Sequence, residues 1–248
     1  METLVKTKKQ QKNYWEVKPT VQMAEAMDAL TDARDNAELR AIIGDTGCGK
    51  SFAIDIFKSR HSEDVFVVTV SQLDSIGDLL EKVIELLGLV PGRTKSRKLR
   101  DIIAKFRDMK ADGRFPLLVF DEAEYMKQPA LCAVKEFYDN LVKTKYCGLL
   151  LSGHYQLSNN LERMRKRSKE GIPQLYRRIK FGIRMLPAID RKFDLFLSGI
   201  DKPLCRFLSE QCENYGELHD VLVPALRESE RTGEPLSEGF VRMVLNIR

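Results

Sequence analysis

No run of apolar residues in this 248-residue chain approaches the roughly 18 that a membrane-spanning helix needs. The opening stretch, METLVKTKKQQKNYWEV, is basic with no apolar core behind it, so no secretory leader is expected. Cysteine is sparse: Cys48, Cys132, Cys147, Cys205 and Cys212 include no CxxC pair and no zinc-site spacing. Scattered single cysteines suit a reducing cytoplasm. There is no internal repeat and no low-complexity tract. A strong excess of one charge is also missing. The 41 Lys and Arg against 36 Asp and Glu leave only +5, so the clustering of basic residues matters more than their number. These absences exclude secreted, membrane, collagenous and zinc-ribbon classes. What remains is 43% hydrophobic and 31% charged, a soluble globular composition. The length suits one or two domains with a sizeable core.

Along the chain, strand-like and helix-like patterns alternate. Residues 1–18 read as a basic arm with an aromatic pair, Tyr14 and Trp15. Thr20 suits a cap for a helix over Val21–Asp35. Buried strands are expected at Leu39–Ile43, 64–70, 115–120 and 148–152, with a shorter one at 180–185. Helices are expected at 52–60, 75–87, 98–110, 130–141 and 156–166. The strand runs lack polar alternation, as in parallel sheets covered on both faces. After Pro187 only helices are expected, at 191–197, 203–215, 218–229 and 237–247. The domain reading is an arm (1–18), an α/β domain (19–188) and a small helical module (189–248).

Two segments carry chemistry. Gly44-Asp45-Thr46-Gly47-Cys48-Gly49-Lys50-Ser51 fits G-x-x-x-x-G-K-[ST], after a strand and before a helix. Its glycines let backbone N–H groups surround phosphate oxygens, Lys50 would reach the β- and γ-phosphates, and Ser51 would ligate Mg²⁺. Leu117-Leu118-Val119-Phe120-Asp121-Glu122 places Asp121 at a strand's C-terminal end, where it can hold the Mg²⁺ water shell. Glu122 can act as general base on an attacking water. The paired carboxylates favour ATP hydrolysis over a kinase reaction. Ser152 and His154 end the next strand, where a polar group can contact the γ-phosphate. Arg177 and Arg178 are candidates for an arginine finger.

Basic residues cluster at Arg93, Lys95, Arg97, Lys98 and Arg100, with Thr94 and Ser96 offering hydroxyls. A second cluster holds Arg163, Arg165, Lys166, Arg167 and Lys169, and a looser one Lys6, Lys8, Lys9 and Lys12. Such clusters suit phosphate contacts without sequence readout. For the second, favourable placement at a helix C-terminus is an alternative.

GDTGCGKS, LLVFDEAE, LLLSGH and QLYRRIKF, in that order, resemble an AAA+ ATPase. The short chain is similar to the DNA-transposition branch, the MuB/TnsC-like target-selection ATPases. Gly153-His154, the Tyr176-Arg177-Arg178 box and Asn214-Tyr215-Gly216-Glu217-Leu218 support that branch. The resemblance implies a five-stranded parallel P-loop sheet with a helical lid. It implies that Lys50, Ser51, Asp121 and Glu122 handle ATP and Mg²⁺, that His154 takes the first sensor position, and that Arg177 falls in the finger box. It also implies loops around duplex DNA, drawn from Arg93–Arg100 and the Ser71–Ser75 loop, and a homo-oligomeric ring or filament. Two departures stand out. His154 replaces the usual Asn or Thr, and Glu217 stands where related lids often carry an arginine. No separate DNA-reading domain is expected. The reading is therefore a cytoplasmic, nucleoid-associated, bacterial or phage-encoded ATPase. It would assemble on duplex DNA without sequence preference and activate a transposase in recombination. The alternatives are a helicase loader of the IstB/DnaC type and a nucleotide switch that does not act on DNA.

Overall fold

The computed structural model describes residues 14–246. Lys6, Lys8, Lys9 and Lys12, and the arm up to residue 13, lie outside the described residues. The chain forms two compact units: Thr20–Ile189, and residues 14–19 with 190–246.

In the first unit five strands form one parallel sheet, ordered β2-β3-β4-β1-β5. They are β1 (Leu39–Ile43), β2 (Val65–Thr69), β3 (Leu117–Asp121), β4 (Gly148–Gly153) and β5 (Ile183–Met185). β3 and β4 are buried along their whole length, which is why their sequences do not alternate. Ile42, Leu117, Val119 and Leu150 face α1 (Val21–Asp35) and α2 (Lys50–Arg60), packing with Leu30, Ile54 and Phe57. Leu118, Phe120, Leu149 and Leu151 pack in a second core. That core draws on α3 (Ile76–Leu86), α4 (Lys95–Ala111), α5 (Gln128–Phe137), α6 (Tyr155–Lys166) and α7 (Ile172–Ile179).

Several bounds differ from the sequence reading, each for a local reason. α4 starts three residues early because the Thr94 hydroxyl accepts from Arg97 N (3.2 Å). The helix expected over 130–141 turns π-helical at Tyr138–Val142. The sequence pattern does not reveal α7; Gly171, at φ 76°, caps it and Pro173 lies in its first turn. It takes up Lys180 as its end, which shortens β5. β4 also needs its first residue small: a Cβ on Gly148 would sit 2.0 Å from Ala33 O. Gly148→Ala is expected to destabilise the chain by about 1–3 kcal/mol, the usual range for overpacking. The drop in urea midpoint at unchanged m-value checks this.

In the second unit α8 (Asp194–Leu197), α9 (Lys202–Gln211), α10 (Tyr215–Thr232) and α11 (Glu238–Leu245) bury Leu204, Phe207, Leu208, Leu218, Leu222 and Val241. In place of the single helix expected over 203–215, the chain breaks after Gln211 and restarts at Asn214, whose side chain caps α10. Glu217 sits in the first turn of α10. Its carboxylate accepts from Glu213 N (2.7 Å) and Asn214 Nδ2 (2.9 Å), and its own N–H donates to Asn214 Oδ1 (2.9 Å). An acid at this position is therefore explained by capping. Residues 14–19 belong to this unit. Trp15 stacks on Phe196 (4.8 Å) and meets His219 edge-on (5.1 Å), and Tyr14 Oη donates to Glu230 (2.6 Å). Among the described residues no helix is long and apolar enough to cross a membrane.

Candidate nucleotide site

Residues 44–49 link the end of β1 to the start of α2. Gly47 (φ 71°) and Gly49 (φ 95°) hold left-handed conformations that close the loop tightly. Gly49 is the N-cap of α2 and offers no side-chain acceptor, which leaves that end's N–H groups facing the loop interior. Lys50 curls inward: its Nζ donates to Gly44 O and Asp45 O, both at 2.8 Å. A cation held inside a ring of backbone dipoles fits a phosphate, which would take over these contacts. Cys48 is buried, and burial pushes its thiol up, against an opposing pull from Lys50. The thiol stays neutral and adds no negative charge to the loop. Ser51 lies exposed in the first turn of α2.

Asp121 ends β3 and is nearly buried, at 7% exposure. By strand alternation it shares the α2 face with Leu117 and Val119. Its Oδ1 accepts from Glu122 N (3.0 Å), which fixes the carboxylate's rotation. The β3–β4 register pairs Phe120 with Leu151, so Ser152 is the next residue opposite Asp121. Ser152 is fully buried, and its Oγ has no hydrogen-bond partner among the described residues. The hydroxyl lies inside the sheet face beside Asp121.

Glu122 follows, exposed, at φ 56° and ψ 36°. A non-glycine residue held left-handed costs on the order of 1 kcal/mol and is a mark of functional positions. His154 is the N-cap of α6, its Nδ1 accepting from Gln156 N (3.4 Å). With Nδ1 accepting, Nε2 carries the proton, and it points toward Asp45 Oδ1 (4.0 Å). His154 thus meets the phosphate loop from the C-terminal end of β4, the strand paired with β1.

Sequence reasoning missed Glu124, the last acid of LLVFDEAE. Its Oε2 is buried without a hydrogen-bond partner among the described residues, and a Cβ on Gly153 would lie 2.6 Å from it. Glu124 wedges the short turn after β3 against the end of β4, and Gly153 leaves the space. The signal was present in the sequence as a second acid two residues after Glu122.

The two arginines separate. Arg178 donates to Asp139 Oδ1 (2.7 Å) and Gln174 O (3.0 Å) and covers the Tyr138 ring at 5.2 Å. Burial raises the Asp139 carboxyl, but hydrogen bonds from Lys135 and Arg178 outweigh it and hold the group low. Arg177 is exposed and has no ion pair or hydrogen bond among the described residues.

The first basic cluster also divides. Lys98 is buried and paired with Glu81, and Arg97 is bound to Asp101 (3.0 Å). Lys98 is therefore not available to a phosphate, whereas the exposed Thr94 hydroxyl accepts as the α4 cap and keeps its O–H to donate. Arg93, Lys95, Ser96 and Arg100 remain exposed. In the second cluster, Arg163 donates to Asn160 (2.8 Å), while Arg165 lies over Tyr176 (4.8 Å) and beside Glu162 (3.7 Å). Both sit in the last turn of α6, where cations suit the helix dipole.

No curated protein matches the chain. Solved structures match in fold. The ORC2 protein of Aeropyrum pernix aligns with TM-score 0.61 and 17% identity over 91% of this chain and 66% of its own. Cdc6p of Pyrobaculum aerophilum aligns at 0.63 and 12%, over 86% of this chain and 62% of its own. Domain III of the Thermotoga maritima replication initiation protein DnaA aligns at 0.59 and 15%, over 93% of each. The chain thus spans about two thirds of the archaeal proteins. A family model described as AAA domain matches residues 33–161, just over half of the chain and the stretch from the end of α1 into α6. With the phosphate loop, the Asp121-Glu122 pair and the β2-β3-β4-β1-β5 sheet, the chain belongs to the AAA domain family and is an AAA+ ATPase.

Proposed function

We propose that this ATPase binds duplex DNA without sequence preference, assembles on it as an ATP-dependent ring or filament, and presents the DNA as a target to a transposase. The observation that carries DNA binding is the start of α4. Arg93 and Lys95 are exposed there with no ion pair among the described residues, at the helix end where cations oppose the dipole, and Arg100 is exposed in the following turn. Fold stability does not account for them; a polyanion does. The transposition branch rests on the resemblance of the Gly153-His154 and Tyr176-Arg177-Arg178 segments.

Within each site, Lys50 and the backbone of residues 44–50 bind the phosphates, and Ser51 and Asp121 hold Mg²⁺. Among the described residues no cluster of three or more His, Cys, Asp or Glu forms a metal site. Two oxygen ligands with phosphates and water suit Mg²⁺, which keeps much of its hydration. When bound, Mg²⁺ neutralises charge developing on the phosphoryl group. Glu122 takes the proton of the attacking water, His154 orients groups at the γ-position, and Arg177 reaches a neighbouring subunit's phosphate.

A gel shift with a slowly hydrolysed ATP analogue, compared with no nucleotide, tests the coupling; equal DNA affinity in both refutes it. Changing Arg93 and Lys95 to glutamate is expected to weaken binding on all sequences and to reduce the salt slope by about 1 for each phosphate no longer bound. Lys98→Met, by contrast, is expected to lower stability and leave the slope unchanged.

The fold neighbours favour one second reading, a helicase loader or replication factor, since DnaA is named a replication initiation protein. Capture of a replicative helicase rather than a transposase by the ATP-bound protein would select it.

A further inference from the structure

The turn that follows β3 carries a buried oxygen with nothing to bond to. Glu124 Oε2 is shut off from solvent and has no hydrogen-bond partner among the described residues. Burying a carboxyl oxygen without a donor costs stability. A group of this kind calls for a reason other than stability.

Its surroundings link it to the hydrolytic site. A Cβ on Gly153 would lie 2.6 Å from Glu124 Oε2, 3.4 Å from Glu124 N and 3.3 Å from Leu157 Cδ2. Both the carboxyl and the backbone of the turn therefore rest on the last residue of β4. Gly153 O in turn accepts from Gly44 N (3.2 Å), at the start of the phosphate loop, and Gly153 is the register partner of Ile43 in β1. β4 is the strand between β3, which leads into Glu122, and β1, which leads into the loop. Gly153 is thus a spacer, with the loop bonded to one side and the turn at residues 123–125 resting on the other.

The same turn sets Glu122. Glu122 O accepts from Tyr125 N (3.1 Å), Ala123 O accepts from Met126 N (3.0 Å), and Ala123 is fully buried. A non-glycine residue stays left-handed, as Glu122 does at φ 56°, only where its surroundings over-determine it. Those bonds hold the turn on the β3 side, and the contact of Glu124 with Gly153 holds it on the β4 side.

We infer that Glu124 is a positioning residue for ATP hydrolysis, which wedges the turn against Gly153 and so fixes the distance between Glu122 and the phosphate loop. It acts through Glu122 and takes no proton itself. A flat end group fits the gap that Gly153 leaves, and glutamine has the same shape. Misplacement of a reacting group by about 1 Å can cost on the order of 10²-fold in rate, so a spacer this close to the base governs turnover. This inference rests on the reading of Glu122 as general base.

The test is single-turnover hydrolysis of Mg²⁺-ATP by the full-length protein, with ATP affinity titrated separately. Glu124→Ala is expected to slow hydrolysis by on the order of 10²-fold at unchanged ATP affinity. Glu124→Gln is expected to stay near wild type. In a Glu122→Gln background, Glu124→Ala is expected to slow hydrolysis no further, because the base it positions is already gone. Glu124→Asp, one methylene shorter, is expected to fall between Gln and Ala, and it decides the matter if Glu124→Ala does not fold. Wild-type turnover by Glu124→Ala, or by Glu124→Asp where only that variant folds, overturns the positioning role. Equal losses in Glu124→Gln and Glu124→Ala also overturn it, since the carboxylate itself would then be the active group. The same loss repeated on top of Glu122→Gln overturns it as well, since Glu124 would then act on something other than the base. Wild-type turnover by Glu122→Gln removes the base reading and the positioning role with it.

Discussion

Glu122→Gln is expected to lower ATP turnover by on the order of 10²–10⁴-fold, the usual contribution of a positioned general base. ATP binding should be unchanged, because the proposed phosphate contacts would come from Lys50 and the loop backbone. The amide keeps the shape of the side chain and loses only the ability to take a proton. The bound state should therefore persist, and DNA complexes formed with ATP should resist dissociation that wild type shows as it turns over. Single-turnover hydrolysis with a nucleotide-binding titration separates the two effects. Unchanged turnover removes Glu122 from its role. Glu122→Gly makes the argument sharper. Glycine removes the left-handed strain at φ 56°, so this variant is expected to be more stable by about 1 kcal/mol while also losing turnover. Gaining stability as activity falls would mark the strain as part of the site's construction.

Much of this site was legible in the sequence because it is local. A phosphate loop needs glycines at fixed offsets and a lysine at the helix start, and all stand within eight residues. The Asp121-Glu122 pair is legible for the same reason: an apolar strand ends and two acids follow. The sheet was legible from strands without alternation. What stayed hidden depends on residues distant in the chain. The pairing of Lys98 with Glu81 requires knowing that α3 and α4 lie side by side. Burial of Ser152 depends on the alternation of β4 once it is paired between β3 and β1. α7 is hard to read because Gly171 and Pro173 suggest a turn, although the same residues make a helix start when the glycine takes φ 76°. Glu217 reads as a missing sensor in the sequence, and only the bonds to Glu213 and Asn214 show it to be a cap. In each case the residue's local pattern had two meanings, and tertiary contacts chose between them.

Arg177→Ala is expected to lower turnover of the assembled protein by on the order of 10³–10⁵-fold, the contribution of an arginine finger to phosphoryl transfer. Nucleotide affinity of the dilute protein should be unaffected, since the proposed finger would act on a neighbour's site. Arg178→Ala is expected to behave differently. Its guanidinium is fixed to Asp139, Gln174 and Tyr138 within its own subunit, so its removal should appear as reduced stability. The partly exposed pair contributes only about 1 kcal/mol. The adjacent arginines thus divide: Arg178 fastens α7 to the π-helical turn at Tyr138–Val142, and this holds Arg177 at a fixed angle outward. Mixing experiments decide whether Arg177 acts in trans. Arg177→Ala and Glu122→Gln are each expected to turn over little ATP alone. In a mixture, an interface with intact Glu122 on one side and intact Arg177 on the other is complete. Equal amounts should therefore recover part of wild-type turnover, rising with protein concentration as assembly proceeds. No recovery, with both variants still assembling on DNA, would place Arg177 in its own subunit's site or outside catalysis.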